Sequence, residues 1–563
     1  MMKRCIPLLL AISAVACNSS HRHERITGLV ADSAMVVSAH PLASQVGVDI
    51  MRKGGNAVDA AIATQFALAV VYPSAGNIGG GGFMVYRKHD GSIATLDYRE
   101  KAPGAASRNM YLDSAGNVID SLSQDGHLSS GVPGSVAGML EAHAKFGKLP
   151  WKDLVEPAIA LALNGFVVTE REARGLNYLN DILIRKNTIR PEFLLREKWV
   201  AGDTIRWTDL GHTLERIRDN GFAGFYEGKT ADDIVAEMKR GNGLISHEDL
   251  KNYKAVWRDP IIGQYKDYKI ISMAPPSSGG VALMQLLRSV EHYPIREWGW
   301  NSAHTTHLLV EAERRAYADR SVYLGDPDFV NVPVKQLTNS LYTDERMKSF
   351  DPDHATPSSK IKEGSLALYE SPQTTHLSVI DPEGNAVAVT TTLNDAYGSK
   401  VIVAGSGFLL NDEMDDFSAK PGSPNMYGVI GGEANRIEPN KRMLSSMTPT
   451  IIERNGRLVM VVGTPGGSKI ITSVFQTILN VLEHNMTMQE AVTAKRFHHQ
   501  WQPDTIANEY NAFSAEDSLK LVKMGHAFKA HRSFCRVDAI LVRPDSTLEG
   551  GADPRGDDTA FGF

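Results

Sequence analysis

A mixed α+β chain is predicted by three observations on this 563-residue sequence. Two β-rich runs, 374–380 and 386–392, flank the turn Asp381-Pro382-Glu383-Gly384-Asn385. β-Branched residues around a Gly-containing loop of that length read as an antiparallel hairpin. Residues 150–255 read as largely helical, and nothing recurs with a period of about 20 to 50 residues, which excludes a solenoid. With a symmetric turn Ile380 pairs with Ala386, and the same register sets Thr374 opposite Thr392. Directly opposed side chains have Cβ atoms about 4.5–5.5 Å apart, within reach of a hydroxyl–hydroxyl hydrogen bond. By itself a threonine pair in a hairpin signifies β-packing, and a chemical reading needs more.

The remaining elements follow in order. Residues 1–17 combine Met1-Met2-Lys3-Arg4 with an apolar run and small residues before Cys17, a secretory signal too short to span a membrane. Ala14-Val15-Ala16-Cys17 is similar to a lipoprotein cleavage site, which would leave Cys17 as a lipid-bearing first residue. Such sites usually carry Leu where Ala14 stands, so ordinary cleavage is the alternative. Residues 18–33 read as a flexible leader. Val46, Val48, Ile50 and Met51 mark a helix stopped at Gly54-Gly55, and 59–71 resume as an Ala-rich buried helix. Four glycines, 79–82, precede Phe83-Met84-Val85-Tyr86 and fit neither a dinucleotide fingerprint nor a P-loop, so they signal close backbone approach. Residues 93–98 alternate as a strand that delivers Arg99 and Glu100, and 131–138 form a turn opening a helix. Helices are expected at 153–163, 210–221, 230–240 and 281–290. A long amphipathic helix at 303–324 follows, with Glu311, Glu313, Arg314 and Arg315 as its solvated face. The Pro/Ser-rich stretch 351–372 reads as a linker leading into the hairpin. An acidic group at 412–416 and a Pro/Gly-rich loop at 418–432 come next; loops of that length are usually functional or disordered.

Composition bounds the function. Apolar residues make up 42% and charged residues 22%, as in soluble globular proteins. The net charge of −6 comes without any basic block, so nucleic-acid binding has no electrostatic footprint. Of three cysteines, Cys5 leaves with the signal and Cys17 is acylated or lost, so Cys535 has no partner for an intrachain disulfide. The nucleophile elbow GxSxG, the zinc motif HExxH and paired CxxC motifs are all missing from the sequence. His498-His499 lacks a third spaced ligand and reads as packing rather than metal binding. A strand at 457–462 runs through Gly463–Ser468 into a helix at 469–482. Free N–H groups at such a helix start, approached over glycine, can stabilise an oxyanion.

Several motifs together resemble the γ-glutamyltransferase (γ-glutamyltranspeptidase) family. They are Thr374-Thr375-His376, residues 411–418 and 439–449, Gly466-Gly467-Ser468 and Asp553-Pro554-Arg555, preceded by 43–87 and 96–100. The resemblance runs in family order from about residue 34 and implies a four-layer αββα sandwich of the N-terminal-nucleophile hydrolase type. It implies self-cleavage between Gln373 and Thr374, giving a large subunit of 34–373 and a small catalytic subunit of 374–563 that stay associated. Thr374 would then attack a γ-glutamyl donor such as glutathione, with its own α-amine as base, and pass the acyl group to water or to an amino acid or dipeptide. An α-amine titrates near 7.7–8.0, so part of it is neutral at physiological pH. Position by position, Thr392 would hold the nucleophile and Gly466 and Gly467 would supply the oxyanion N–H groups. Arg99, Ser445 and Ser446 would meet the substrate α-carboxylate, and Asn394, Glu413 and Asp416 its α-amino group. Some members carry Gln at the Glu413 position. Tyr427 matches the aromatic of a lid loop at 418–432. The family implies no cofactor and no metal, and the signal implies export to the periplasm with a possible lipid anchor at Cys17.

Two rival readings share these residues. One is a glutaryl or cephalosporin acylase of the same fold; Arg99, Asn394, Glu413 and Asp416 argue against it because they suit an amino-acid substrate. The other is an uncleaved, inactive lipoprotein that binds glutamyl peptides.

Overall fold

The computed structural model describes residues 25–362, 374–420 and 433–563. Its centre is the hairpin of Thr375–Ile380 and Ala386–Thr392, with Ile380 opposite Ala386 and Thr375 opposite Thr391. This is the expected register. Asp381 fixes the turn: its carboxylate accepts the N–H groups of Glu383 and Asn385 at 3.0 and 2.9 Å. The same carboxylate accepts the Ala57 N–H at 2.8 Å, docking the start of the next layer's helix on the hairpin.

The hairpin occupies the middle of a seven-stranded antiparallel sheet. Thr375–Ile380 pairs with Met35–Ser38, and Ala386–Thr392 with Gly81–Arg87. A second seven-stranded antiparallel sheet, which includes Tyr268–Ser272, Thr450–Arg454, Arg457–Gly463 and Asp538–Val542, packs against it. Strand alternation separates two cores. Leu377, Val379, Val387 and Val389 face the helices Pro41–Arg52 and Ala57–Val71. Val85, Ala386 and Ala388 face Ile451, Val461 and Ile540 of the second sheet. Helices Gly279–Val290, Ala303–Tyr323 and Lys469–Leu482 cover the far side of that sheet. The order is helix, sheet, sheet, helix, so the expected four-layer sandwich is present. Among the described residues no helix is long and apolar enough to cross a membrane.

The structure corrects the sequence reading in four places. The first helix ends at Arg52 and is stopped by Gly54 (φ 94°) as expected, but the helix expected at 59–71 begins at Ala57, capped by Asn56, which accepts the N–H groups of Val58 and Asp59 at 3.0 Å. Ordered chain begins ahead of residue 34, because Val30–Ala31 forms the edge of the second sheet against Leu548–Gly551. The supposed solvated face of Ala303–Tyr323 is buried: Glu311, Glu313, Arg314 and Arg315 are each at most 2% exposed. Arg315 donates to Glu311 at 2.6 Å, Arg314 pairs with Glu311 and Asp504, and Glu313 accepts the His499 N–H at 2.8 Å. Segments 351–362 and 497–504 pack over this face. Glu311 pairs with both arginines, whereas among the described residues Glu313 meets only the His499 N–H and the Gln476 amide, and burial pushes its carboxyl well above the usual range. Finally, 351–362 is no free linker. The Asp351 carbonyl bonds His307 at 2.7 Å, Ala355 N–H donates to the Met524 carbonyl at 2.6 Å, and Thr356 N–H donates to Glu311 at 3.0 Å. The rest of the expected linker, 363–372, and Tyr427 in 421–432 lie outside the described residues, as do Gln373, Cys5 and Cys17.

Candidate active site

Thr374 stands at the head of the central hairpin, 5% exposed, with its hydroxyl donating to Thr392 Oγ1 at 3.5 Å. Thr392 Oγ1 also accepts the Asn394 N–H at 2.8 Å, so one hydroxyl oxygen joins the strand end to the following turn. Asn394 takes the left-handed conformation (φ 76°), which asparagine tolerates, and its amide donates to the Asp412 carbonyl at 3.0 Å. Thr392 is held from behind by Asn77, whose amide donates to its carbonyl at 2.9 Å, while Asn77 Oδ1 accepts from Gly80 N–H at 3.0 Å and Ser135 Oγ at 2.7 Å. The glycine run explains itself here. A Cβ on Gly80 would sit 2.0 Å from the Thr392 carbonyl oxygen, and one on Gly81 would sit 2.5 Å from the Glu100 carboxylate. The expected close approach is between backbones, at Thr392.

The turn between Arg457–Gly463 and Lys469–Leu482 brings Gly466 into the same cavity as Thr374, a space of about 400 Å³. Gly466 (φ 135°) and Gly467 (φ 61°) both adopt backbone conformations that a side chain would strain. Among the described residues neither amide N–H has a protein acceptor, as an oxyanion donor requires. The turn is pinned by Thr464 Oγ1, which accepts the Arg536 N–H at 3.0 Å, and by Ser468 Oγ, which donates to Gln500 at 2.8 Å.

Arg99, expected to meet one end of the substrate, and Glu413 and Asp416, expected to meet the other, bind one another. The guanidinium donates to both carboxylates and, at 3.0 Å, to the Leu444 carbonyl; all three side chains are at most 3% exposed. Glu100, three residues after the strand Ile93–Asp97 ends, comes within 3.8 Å of the same guanidinium. Desolvation, opposed by Arg99, pushes Glu100 up to about 7 and Glu413 well above the usual carboxylate range. The cluster thus holds more acid than one arginine neutralises. Ser445 and Ser446 adjoin Leu444; the Ser445 carbonyl accepts from Ser278 Oγ at 2.7 Å, and Ser446 Oγ accepts from Arg320 at 3.4 Å. Among the described residues no three His, Cys, Asp or Glu side chains are grouped as metal ligands. His498 and His499 are hydrogen-bonded to Thr472 at 2.9 Å and Asp504 at 3.3 Å, in keeping with packing.

A helix–sheet–sheet–helix sandwich with a threonine at the head of its central strand narrows the family sharply. The profile described as Gamma-glutamyltranspeptidase matches residues 43–563. The chain belongs to that family. It is 47% identical to a glutathione hydrolase proenzyme of Escherichia coli (strain K12) over 95% of this chain and 92% of the relative. The fold is similar to the crystal structure of γ-glutamyltranspeptidase from Helicobacter pylori, with 46% identity over 58% of this chain and 94% of that chain and a TM-score of 0.56. It also resembles cephalosporin acylase from Bacillus halodurans, at 25% identity and a TM-score of 0.84, covering 97% of this chain and 98% of that chain. The γ-glutamyltranspeptidase chain is thus an N-terminal-nucleophile hydrolase in fold.

Sequence reasoning missed Asn77 and Asn411. Asn411 donates to the Gly79 and Gly131 carbonyls at 2.9 and 2.8 Å and accepts the Glu413 N–H at 3.0 Å, tying the acidic segment to the glycine run. Each lies within a stretch already singled out, but partners such as the Thr392 and Gly131 carbonyls lie far away in the chain.

Proposed function

We propose that Thr374 is the nucleophile of γ-glutamyl hydrolysis and transfer, freed as an N-terminus when the chain is cut after Gln373. The observation that carries this reading is the Thr374–Thr392 contact beside the cavity that Thr374 shares with Gly466. In the cut, Thr374 Oγ attacks the preceding carbonyl, the peptide C–N bond gives way to an ester, and water hydrolyses the ester to leave a free α-amine. That amine then takes the Thr374 hydroxyl proton as Oγ attacks the γ-carbonyl of the donor, while Gly466 and Gly467 N–H groups receive the oxyanion. The leaving amine departs with the proton, and water or an amino-acid or dipeptide amine resolves the acyl-enzyme.

Recognition follows from the ion cluster. An α-amino acid end carries one carboxylate and one ammonium, and it can exchange with the internal pairs. Its carboxylate takes Arg99 with Ser445 and Ser446, and its ammonium takes Glu413, Asp416 and Asn394. Glutathione is the donor suggested by the relatives. In sequence, 418–432 with Tyr427 matches the lid loop of family members, and the N-terminal signal exports the enzyme, with Cys17 as a point of lipid attachment. The likeness to a cephalosporin acylase keeps glutaryl substrates as the second reading; the charged cluster favours a γ-glutamyl group, and faster turnover of a glutaryl than of a γ-glutamyl anilide reverses the choice.

Denaturing electrophoresis and mass analysis test the proposal. The 61.5 kDa chain is expected to run as two bands, the shorter beginning at Thr374, that elute together under native conditions. Thr374→Ala should remain one band without turnover. A continuous chain that turns over substrate overturns the reading.

A further inference from the structure

The cavity beside Thr374 has a charged wall that the chemistry above leaves unused. Four of its eleven lining residues are cationic and none is acidic. Two of the four are satisfied within the protein: Arg536 pairs with Asp558 at 3.2 Å, and Arg555 with Glu509 and with Asp553 at 3.0 Å. Arg171 donates to the Arg555 carbonyl at the exposed rim. Lys469 differs. It opens the helix Lys469–Leu482, three residues after Gly466, and its half-buried ammonium lies 5.9 Å from the centre of the Phe534 ring. Among the described residues no carboxylate stands within ion-pair reach of it. Burial lowers its pKa, and the nearby Lys529 adds to this. An ammonium withdrawn from water without a partner is costly to keep, and such groups concentrate where a ligand supplies the missing charge.

Arg99, Glu413, Asp416, Ser445 and Ser446 do not line this cavity. The γ-glutamyl group and the cationic wall therefore meet Thr374 from different directions. On an acyl-transfer path the direction away from the γ-glutamyl group is that of the departing or incoming amine. We propose that Lys469 anchors a carboxylate-binding subsite for this amine, selecting free α-carboxylate peptides and amino acids over their amides. The inference rests on the function proposed above. Size agrees: a dipeptide extends about 7 Å at 3.3–3.6 Å per residue, and small-molecule sites span about 300–1,000 Å³.

The test compares kcat/KM for a γ-glutamyl dipeptide with that for the same compound amidated at its C-terminus. The processed wild-type enzyme should favour the free acid by about tenfold or more, the size of a partly shielded charge-assisted hydrogen bond. Lys469→Gln should bring the ratio close to one, Lys469→Arg should preserve most of it, and added salt should shrink it in the wild type. An equal ratio in wild type and Lys469→Gln overturns the proposal. Because both substrates meet the same sample, a general loss of folded enzyme cancels. Should Lys469→Gln not fold, a wild-type ratio indifferent to salt overturns it instead. Failure of the wild type to turn over a γ-glutamyl anilide would sink the proposed function itself; turnover without acid preference would sink only the subsite.

Discussion

Thr392 Oγ1 receives two donors, the Thr374 hydroxyl and the Asn394 N–H, and few single atoms hold more of the site together. Thr392→Val keeps the shape, removes that acceptor and leaves a buried N–H unpaired. With such a group costing about 1–3 kcal/mol, turnover of a γ-glutamyl anilide should fall about tenfold to a hundredfold, with slower self-cleavage. Thr392→Ser should retain most of both, and an unimpaired Thr392→Val would remove Thr392 from the site. His376 is the residue a search for a catalytic triad would choose. It bonds Thr390 at 2.9 Å and Ser378 at 3.1 Å, and burial pushes its pKa down to about 3. Its ring packs where a side chain on Gly463 would have to be, 2.3 Å from that missing Cβ. His376 is thus a joint between the two sheets.

At the scale of elements, the strand–turn–helix from Arg457 to Leu482 presents the N–H groups of Gly466 and Gly467, and its shape is enforced by a neighbour. A Cβ on Gly466 would lie 2.2 Å from Cys535 Sγ at a φ of 135°. Gly466→Ala should therefore destabilise the fold by about 1–3 kcal/mol and lower kcat by about a hundredfold or more. Adding Cys535→Ala relieves the clash with sulfur and leaves the backbone strain, so the double variant should regain part of the stability. Thermal unfolding of the four proteins in a double-mutant cycle measures the coupling, and strict additivity would contradict it. The helix Ala303–Tyr323 teaches the opposite lesson about reading elements. Its Glu/Arg face looks solvated by pattern, but periodicity reports which residues are polar, whereas burial depends on whether partners such as Asp504 arrive from elsewhere.

Across the whole molecule, ionisable groups are buried wherever the layers and loops meet. Glu100 and Asp558 are pushed up to about 7 and about 6, chiefly by desolvation, and Asp412, Glu413 and Asp538 are raised as well. Between the ordinary carboxylate range and about 7, folded Glu100 keeps a proton that the unfolded chain has lost. Its contribution to stability is therefore present at low pH and is lost as pH rises through that window. Glu100→Gln carries no such proton, so the stability difference between variant and wild type should move in the variant's favour from about pH 5 to about pH 8. Denaturant midpoints at the two values check this; a difference independent of pH would show that Glu100 titrates normally.

The sequence by itself determined the hairpin, its register and the Thr374–Thr392 pair, because a strand alternates with period two and a short turn leaves no freedom to slip. It also determined the family, through motifs whose order survives without any knowledge of their contacts. Only the tertiary structure decided that Arg99 meets Glu413 and Asp416 across more than 300 residues, that the Ala303–Tyr323 charges are internal, and that Lys469 shares a cavity with Thr374. Local pattern fixes which side chains share a face of one element. Which charges are withdrawn from water, and against what, is fixed only when the layers close on one another.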